Sequence, residues 1–208
     1  MHWEPNASDA PRSLEPTAAA AYAERLRALE RKGVRRVLDV QAPYRWNLHR
    51  LHLGRVLDVG CGLGRNLENL GTDSIGVDHN VDSIRIARER GLDAYTSEEF
   101  FALGLPRASF DSLLFAHVLE HMDQAAGIGL VRAYLPYLRQ GGRLCVITPQ
   151  ERGYRSDATH VQFVDFDRIH ALLDEIEMTV EREFSFPLPR ALGRMFTYIE
   201  FVVVAGQA

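Results

Sequence analysis

The residues best suited to chemistry begin at a glycine-rich turn that holds an acid. Residues 56–59 are an apolar run that predicts a strand buried on both faces, and three glycines follow at alternate positions: Gly60, Gly62 and Gly64. Glycine lacks a Cβ and tolerates positive φ, so backbone N–H groups can approach a ligand closely there. Arg65 stands where a dinucleotide fingerprint would have its third glycine. Asp58 would repel a pyrophosphate, so the turn favours a ligand that carries an ammonium group.

A second acid, Asp78, ends the next predicted strand, residues 74–78. Ligands of open α/β sheets lie at the carboxyl ends of the strands, which places Asp78 to accept both hydroxyls of a ribose held over the first turn. His79 and Asn80 follow and can line an adenine edge. The alternative is that Asn80 or Asp82 caps the helix predicted over residues 81–90.

Further groups able to transfer protons or bind metal follow two later strands. His117, Glu120 and His121 come directly after the fourth predicted strand, residues 109–116. His160, with Asp157 three residues before it, lies in a long loop predicted over residues 150–164. Loops at this edge of an open α/β sheet commonly bind substrate.

Strands and helices alternate along the chain, which predicts the α/β class. We expect a Rossmann-like, doubly wound, mainly parallel seven-stranded sheet whose last two strands, residues 178–186 and 197–204, pair as an antiparallel hairpin. The remaining strands are predicted at residues 92–95 and 143–149. A short helix is expected between the glycine turn and Gly71, and Gly141-Gly142 is expected to end the helix before the fifth strand.

The chain is predicted to form a single domain over residues 17–208, after a loose leader at residues 1–16 that holds three prolines. Residues 18–32 predict an amphipathic helix. Residues 37–40 repeat the letters of the strand before the glycine turn, but no glycines follow, so we expect no second ligand site there.

Together, the motif Asp58-x-Gly60-x-Gly62-x-Gly64, the acid Asp78 and the segment from Phe110-Asp111 to His121 resemble the class I S-adenosylmethionine-dependent methyltransferases. The resemblance covers about residues 56–149 and implies S-adenosylmethionine as the cofactor. Ser97 and Glu98 are candidates for the adenine amino group, although an exposed helix N-terminus explains the same residues. The expected cofactor contacts are Asp58, Gly60, Cys61, Gly62, Gly64, Asp78, His79, Ser97, Glu98 and Ala116.

The segment after the fourth strand is similar to the E-x-x-E-H pattern of ubiquinone-biosynthesis O-methyltransferases, whose acidic pair and histidine bind a divalent metal. Glu120 and His121 match that pattern, whereas His117 replaces the first acid. The resemblance therefore implies Glu120 and His121 as metal ligands, for Mg²⁺ or, because imidazole suits it better, Zn²⁺. The alternative is a set of structural histidines with no metal.

Methyl transfer to an aliphatic hydroxyl needs a base, a metal or both, because alkoxide character develops on the oxygen. His117, Glu120, His121 and His160 are the candidate catalytic residues. Related enzymes place a histidine after the fifth strand near the cleft, which implies for His160 a general base oriented by Asp157 or a further metal ligand. A loop histidine bonded to the backbone is the other reading.

The candidate acceptor-binding residues lie in two segments. Residues 44–50 hold two aromatics and two cations, and they are either a flap over the ligand or a packing segment. Aromatic and arginine side chains suit a polyhydroxylated metabolite, and a faint similarity to small sugar O-methyltransferases, including those of methylmannose polysaccharide assembly, favours a sugar or polysaccharide precursor. The candidates are Tyr44, Trp46, Arg152, Tyr154 and Asp157.

Alternative functions stay open at this point. One is methylation of a phenol or quinone ring or of a small amine. The other is a domain that binds S-adenosylmethionine without catalysis.

Composition excludes several other classes. A formal charge of −4 and the lack of an N-P-P-Y-like tetrad after the fourth strand disfavour a nucleic-acid substrate. Two cysteines give no disulfide framework, and no apolar run approaches the ~18 residues of a membrane span, so a cytoplasmic enzyme is expected. The expected partner is a small-molecule or oligosaccharide substrate, and a homodimer is an open alternative for the assembly.

Overall fold

The computed structural model describes residues 42–207, which form one seven-stranded sheet. The leader at residues 1–16, the helix at residues 18–32 and the segment at residues 34–40 lie outside the described residues. The strand order is β3-β2-β1-β4-β5-β7-β6. The strands are β1 (Val56–Val59), β2 (Ile75–Asp78), β3 (Ala94–Thr96), β4 (Phe110–Ala116), β5 (Leu138–Pro149), β6 (Met178–Phe186) and β7 (Glu200–Gln207).

Strands β1 to β5 pair in parallel, and β7 runs antiparallel to both β5 and β6. The predicted fold class and the C-terminal antiparallel hairpin are therefore confirmed. The antiparallel direction has a consequence for the site. It places the first residue of β7, Glu200, opposite Pro149 at the edge where the parallel strands end.

Six α-helices lie among the described residues, and polar side chains at their N-termini cap most of them. Asn80, Asp123 and Asp165 each accept a hydrogen bond from the first turn of the helix that follows, and Thr96 and Glu99 form a reciprocal capping box. The helices are α1 (Ala42–Leu51), α2 (Val81–Glu89), α3 (Ser97–Ala102), α4 (Gln124–Tyr134), α5 (Glu151–Arg155) and α6 (Phe166–Glu175).

The core lies on both faces of the sheet, as expected for strands buried between helices. One cluster joins β1, β2, β4 and β5 to α3, α4 and α6 and includes the buried Phe100, Phe115 and Tyr134. The other packs α1 against β4, β5 and β7 and includes Leu48 and Phe186. Leu48 and Leu51 pack α1 onto this second face. Other residues of α1 lie beside Ala116 and Ile147, near the carboxyl ends of β4 and β5.

Several predicted elements differ in the structure. The glycine turn leads into a single 3-10 turn, Leu67–Asn69, and not into an α-helix. Residues 150–164 are not all loop, because α5 forms there. Strand β3 begins at Ala94 rather than residue 92, and β7 begins at Glu200 rather than residue 197.

The Gly141-Gly142 pair lies inside β5, whereas the sequence predicted that it ends the preceding helix. Helix α4 ends at Tyr134, two residues before Pro136. At the glycine pair the register between β4 and β5 shifts, so this is an irregularity in the strand. A Cβ on Gly142 would lie 2.9 Å from the carbonyl oxygen of Asp111, which explains the need for glycine.

Candidate active site

The glycine turn after β1 has the open backbone that its sequence predicts. Gly60, Gly62 and Gly64 all have positive φ, at 79°, 53° and 82°. A Cβ on Gly60 would lie 2.1 Å from Val118, whereas one on Gly62 would meet no atom within 4 Å. The backbone at Gly62 is therefore approachable by a ligand.

Asp78 connects the ends of β1 and β2. One oxygen of its carboxylate accepts a hydrogen bond from Gly62 N at 2.9 Å, and the other accepts one from Asn80 N at 2.8 Å. The acid is therefore fixed directly beside the open backbone of the glycine turn. This position matches the predicted ribose acceptor, which stays a prediction.

Asp58 is a buried acid without compensation. Its side chain is completely buried in β1, and neither carboxylate oxygen has a hydrogen-bond partner among residues 42–207. Burial, with a smaller effect of the neighbouring Asp78 charge, raises the pKa of Asp58 from 3.8 to about 7. A buried carboxylate of this kind is stabilised by a cation bound next to it.

His117 follows β4 with a φ of 58°, an uncommon backbone conformation for a residue with a side chain. Its Nε2 lies 2.8 Å from an oxygen of Glu200, and its Nδ1 lies 3.3 Å from an oxygen of Glu120. Removal from water lowers the pKa of His117, but the two carboxylates outweigh that effect and raise it to about 10. The two carboxylates therefore favour the protonated form of the imidazole.

Glu120, His121 and His160 form a cluster able to bind a metal, with one ligand atom from each lying within 4.8 Å of the others. Glu120 is completely buried. Burial, together with the nearby His160, lowers the pKa of His121 despite the charge of Glu120, which favours the neutral imidazole that metals bind. The Nδ1 atom of His160 lies 2.6 Å from the carbonyl oxygen of Tyr154, which leaves Nε2 for a ligand.

A cleft lies between α1, the glycine turn and the ends of β4 and β5, next to the Glu120 cluster. Its lining combines apolar and polar side chains. The lining residues are Tyr44, Asn47, Leu48, Asn66, Ala116, His117, Ile147 and Glu200.

Comparison with known proteins agrees with this geometry. Residues 57–146, which run from β1 to β5, match the family model described as a methyltransferase domain. The match covers less than half of the chain, and over this segment the chain is similar to methyltransferase domains.

Among the curated relatives of this chain are two ubiquinone biosynthesis O-methyltransferases. The one from Bradyrhizobium sp. (strain ORS 278) is 31% identical over 112 residues, covering 50% of this chain and 43% of the relative. The one from Xanthomonas oryzae pv. oryzae is 29% identical over 103 residues, covering 45% and 42%. The matched segment spans less than half the length of these relatives.

A solved structure shows the same fold. The magnesium protoporphyrin IX methyltransferase of Synechocystis PCC 6803, with bound S-adenosylhomocysteine, superposes with a TM-score of 0.62 at 15% identity. That match covers 91% of this chain and 96% of the other.

Two of the open alternatives near the expected cofactor contacts are resolved by the structure. Asn80 caps α2 by accepting a hydrogen bond from Ser83 N. Ser97 begins α3, and its hydroxyl accepts a hydrogen bond from Tyr134, so the reading of this segment as a helix N-terminus is confirmed. The predicted adenine contacts of Ser97 and Glu98 stay predictions.

The other predicted cofactor contacts lie at this end of the sheet. The ring of His79 is mostly exposed, with its Nδ1 atom 3.3 Å from Asp78. Cys61 is buried in the glycine turn, and its backbone N–H donates to Val77. Ala116 lines the cleft.

The predicted acceptor residues divide into two groups. Tyr44 lines the cleft, whereas Trp46 stacks on Phe186 and is 56% exposed. Residues 44–50 lie in α1. Arg152 bonds to Thr197, and the ring of Tyr154 stacks on that of His160 beside the metal-binding cluster.

The predicted orientation of His160 by Asp157 is wrong. The Asp157 carboxylate accepts hydrogen bonds from the backbone N–H and the hydroxyl of Thr159, and the carbonyl of Tyr154 orients the His160 ring instead. The physical reason is local, because Asp157 closes a turn with the residue two positions on.

Sequence reasoning missed Glu200, which lines the cleft and holds His117. A signal was present, because a single acid precedes the apolar run at residues 201–205. Predicting the strand from residue 197 placed this acid inside it, rather than at its first position on the cleft edge. None of the helices described between residues 42 and 207 combines the length and apolar character needed to cross a bilayer.

Proposed function

We propose that this protein transfers the methyl group of S-adenosylmethionine to a hydroxyl oxygen of a small or oligomeric acceptor. The observation that carries the proposal is Asp58, a fully buried acid without a hydrogen-bond partner among residues 42–207 beside an open glycine turn. A donor that brings an ammonium and a sulfonium group to that acid fits the requirement for a nearby cation.

The residues of the turn fit the rest of the donor. Gly62 offers approachable backbone, and Asp78 lies at the end of β2, where acceptors for ribose hydroxyls lie in open α/β sheets. Asp78 would hold the ribose of the donor, and Asp58 with the backbone of the glycine turn would hold its amino-acid end. The acceptor then enters the cleft beside His117.

Methyl transfer from a sulfonium is a displacement in line with the breaking carbon–sulfur bond, so alignment is the main contribution of the protein. The acceptor hydroxyl must also lose a proton. Glu120, His121 and His160 offer one carboxylate and two imidazoles next to the cleft, so proton removal has candidate acceptors there.

The same three residues fit a divalent metal ion. One buried carboxylate and two imidazoles are a donor set for Zn²⁺ more than for Mg²⁺, which prefers oxygen ligands. A metal bound there would lower the pKa of a coordinated acceptor hydroxyl. His117 replaces the first acid of the related motif, but it pairs with Glu120 and Glu200, and His160 is the third member of the cluster.

Two acceptor classes have separate support. Tyr44 in the cleft, with Arg152 and Tyr154 in α5, suits a sugar or polysaccharide precursor, the class that the sequence favours. A phenol or quinone ring is the second candidate, supported by the similarity to ubiquinone biosynthesis O-methyltransferases and by exposed apolar side chains between β6 and β7. Those side chains are Leu188, Met195, Phe196 and Tyr198.

An acceptor screen tests the proposal. The protein is incubated with S-adenosylmethionine labelled in its methyl group and with panels of sugars, catechols and small amines. Each panel is run with chelator, with Zn²⁺ and with Mg²⁺. Labelled product from a hydroxylated acceptor is expected, and the panel that reacts identifies its class. Binding of S-adenosylmethionine without product in any panel would contradict catalysis and favour a binding domain.

The metal is tested with a matched pair of variants. His160→Ala is expected to abolish any stimulation by Zn²⁺, because it removes one of three donors. His170→Ala is the control, since His170 pairs with Glu183 on the surface away from the cluster. Full activity of the wild-type protein in chelator would contradict the metal requirement. The histidines would then act without a bound metal.

A further inference from the structure

Glu200 is a buried acid placed at the cleft by the topology of the sheet. It is 8% exposed, and it is the first residue of β7, which runs antiparallel to its neighbours. Its backbone carbonyl accepts a hydrogen bond from the side chain of Gln150, which fixes its main chain. Its carboxylate lines the cleft and lies 2.8 Å from His117 Nε2.

This pair is costly to maintain. A carboxylate loses hydration when it is buried, and a left-handed backbone is strained for a residue with a side chain. His117 has that backbone, and its N–H donates to the carbonyl of Ile147, so the ring is turned into the cleft. Strained residues held by their surroundings in this way concentrate at functional sites.

We propose that Glu200 is a positioning residue for methyl transfer. Its carboxylate accepts a hydrogen bond from Nε2–H of His117 and fixes the plane of the ring as a wall of the acceptor cleft. The inference rests on the proposed function, because the ring then holds the acceptor oxygen in line with the methyl group. A misplacement of about 1 Å in such an alignment can cost on the order of 100-fold in rate.

Four variants separate this role from a structural one. Glu200→Ala removes the hydrogen-bond acceptor, whereas Glu200→Gln keeps an oxygen that can accept from His117. His117→Ala and the double variant with Glu200→Ala complete a double-mutant cycle. Glu183→Ala is the matched control. Glu183 lies in the same hairpin as Glu200 but outside the cleft, and it pairs with His170 of α6 at 2.6 Å.

The first readout needs no acceptor. Side-chain ¹⁵N spectra of the histidines are recorded on the S-adenosylhomocysteine complex. In Glu200→Ala the Nε2 signal of His117 is expected to shift, because the ring loses its hydrogen-bond acceptor there, whereas Glu183→Ala leaves the His117 signals unchanged. Unchanged His117 signals in Glu200→Ala would overturn the proposal, whether or not the wild-type protein turns over an acceptor.

The second readout is the kinetics with the acceptor that the screen identifies. Glu200→Ala is expected to lower kcat at least about tenfold with an unchanged KM for S-adenosylmethionine, and Glu200→Gln to recover most of the loss. In the His117→Ala background, Glu200→Ala should have no further effect on kcat. If the losses of kcat in the two single variants add up in the double variant, Glu200 has a structural role. The same follows if Glu200→Ala lowers the donor affinity and the melting temperature in proportion to the rate.

The two proposals can fail separately. A wild-type protein that turns over no acceptor refutes methyl transfer, and with it the alignment role of Glu200, even where the spectra show the hydrogen bond to His117. Turnover with additive kinetics refutes only the positioning role.

Discussion

Replacing Asp58 with asparagine is expected to stabilise the protein without its donor and to remove donor binding. The wild-type acid is fully buried, and its carboxylate has no hydrogen-bond partner among the residues from 42 to 207. An amide of the same shape has no charge to desolvate. It also has no charge with which to stabilise a bound ammonium or sulfonium group, so stability and binding should change in opposite directions.

The magnitude follows from the pKa of Asp58. The gap between the ordinary value of 3.8 and about 7 in the folded protein corresponds to at most about 4 kcal/mol. Because the folded state binds the proton more tightly, stability is highest below pH 3.8 and is lost as pH rises through about 7. We expect the advantage of Asp58→Asn to grow by about 3 kcal/mol between pH 5 and pH 8, or roughly 6–12 °C in Tm.

Urea unfolding of the donor-free protein at pH 5, 6.5 and 8 measures this difference. Calorimetry with S-adenosylmethionine on the same samples measures donor binding. Asp111→Asn is the control, because Asp111 accepts from Arg55 N and pairs with Arg139, which lower its pKa. Asp111→Asn should lower the free energy of unfolding at neutral pH, and it should lower it less at low pH. An advantage for Asp58→Asn that does not change with pH would refute the reasoning.

Three further predictions concern the turn and the helices. Gly60→Ala should lower the free energy of unfolding by at least about 2 kcal/mol and weaken donor binding, because the φ of Gly60 is 79° and an added Cβ would meet Val118. Gly129→Ala, at an exposed position of α4 where an added Cβ meets no atom, should raise the free energy of unfolding by about 0.5–1 kcal/mol. Urea unfolding compares the two variants. Asp78→Asn should weaken S-adenosylmethionine binding at least about tenfold in calorimetry, because a charged hydrogen-bond acceptor is lost; unaltered affinity would contradict its role. Asp165→Ala should cost about 1 kcal/mol in urea unfolding through loss of the cap on α6, with donor affinity unchanged.

Part of the site could be predicted because its residues lie in local sequence. The strand at Val56–Val59 has the predicted bounds, and the three glycines have the positive φ that their turn requires. Asp78 ends the next strand and meets the turn as expected. These features depend on φ preferences and on strands that pair with near neighbours, so a short stretch of sequence carries them.

Elements that depend on distant contacts were harder to predict. The Gly141-Gly142 pair signals a helix end in isolation, yet β4 draws these residues into a strand with a shifted register. Residues 151–155 have no clear periodicity but form a helix, whose carbonyl at Tyr154 fixes the His160 ring. At the glycine pair, pairing with a distant strand outweighed the local preference.

The sequence by itself determined the fold class, through the alternation of strands and helices, and the glycine turn with its acids, which is a property of a few consecutive residues. Only the tertiary structure decided which side chains meet at the cleft. His117 and Glu200 are 83 positions apart, and Glu120 and His160 are brought together from different loops. Antiparallel insertion of β7 reverses the direction of that strand, so its first residue lies at the edge where the parallel strands end, and no local pattern specifies that register.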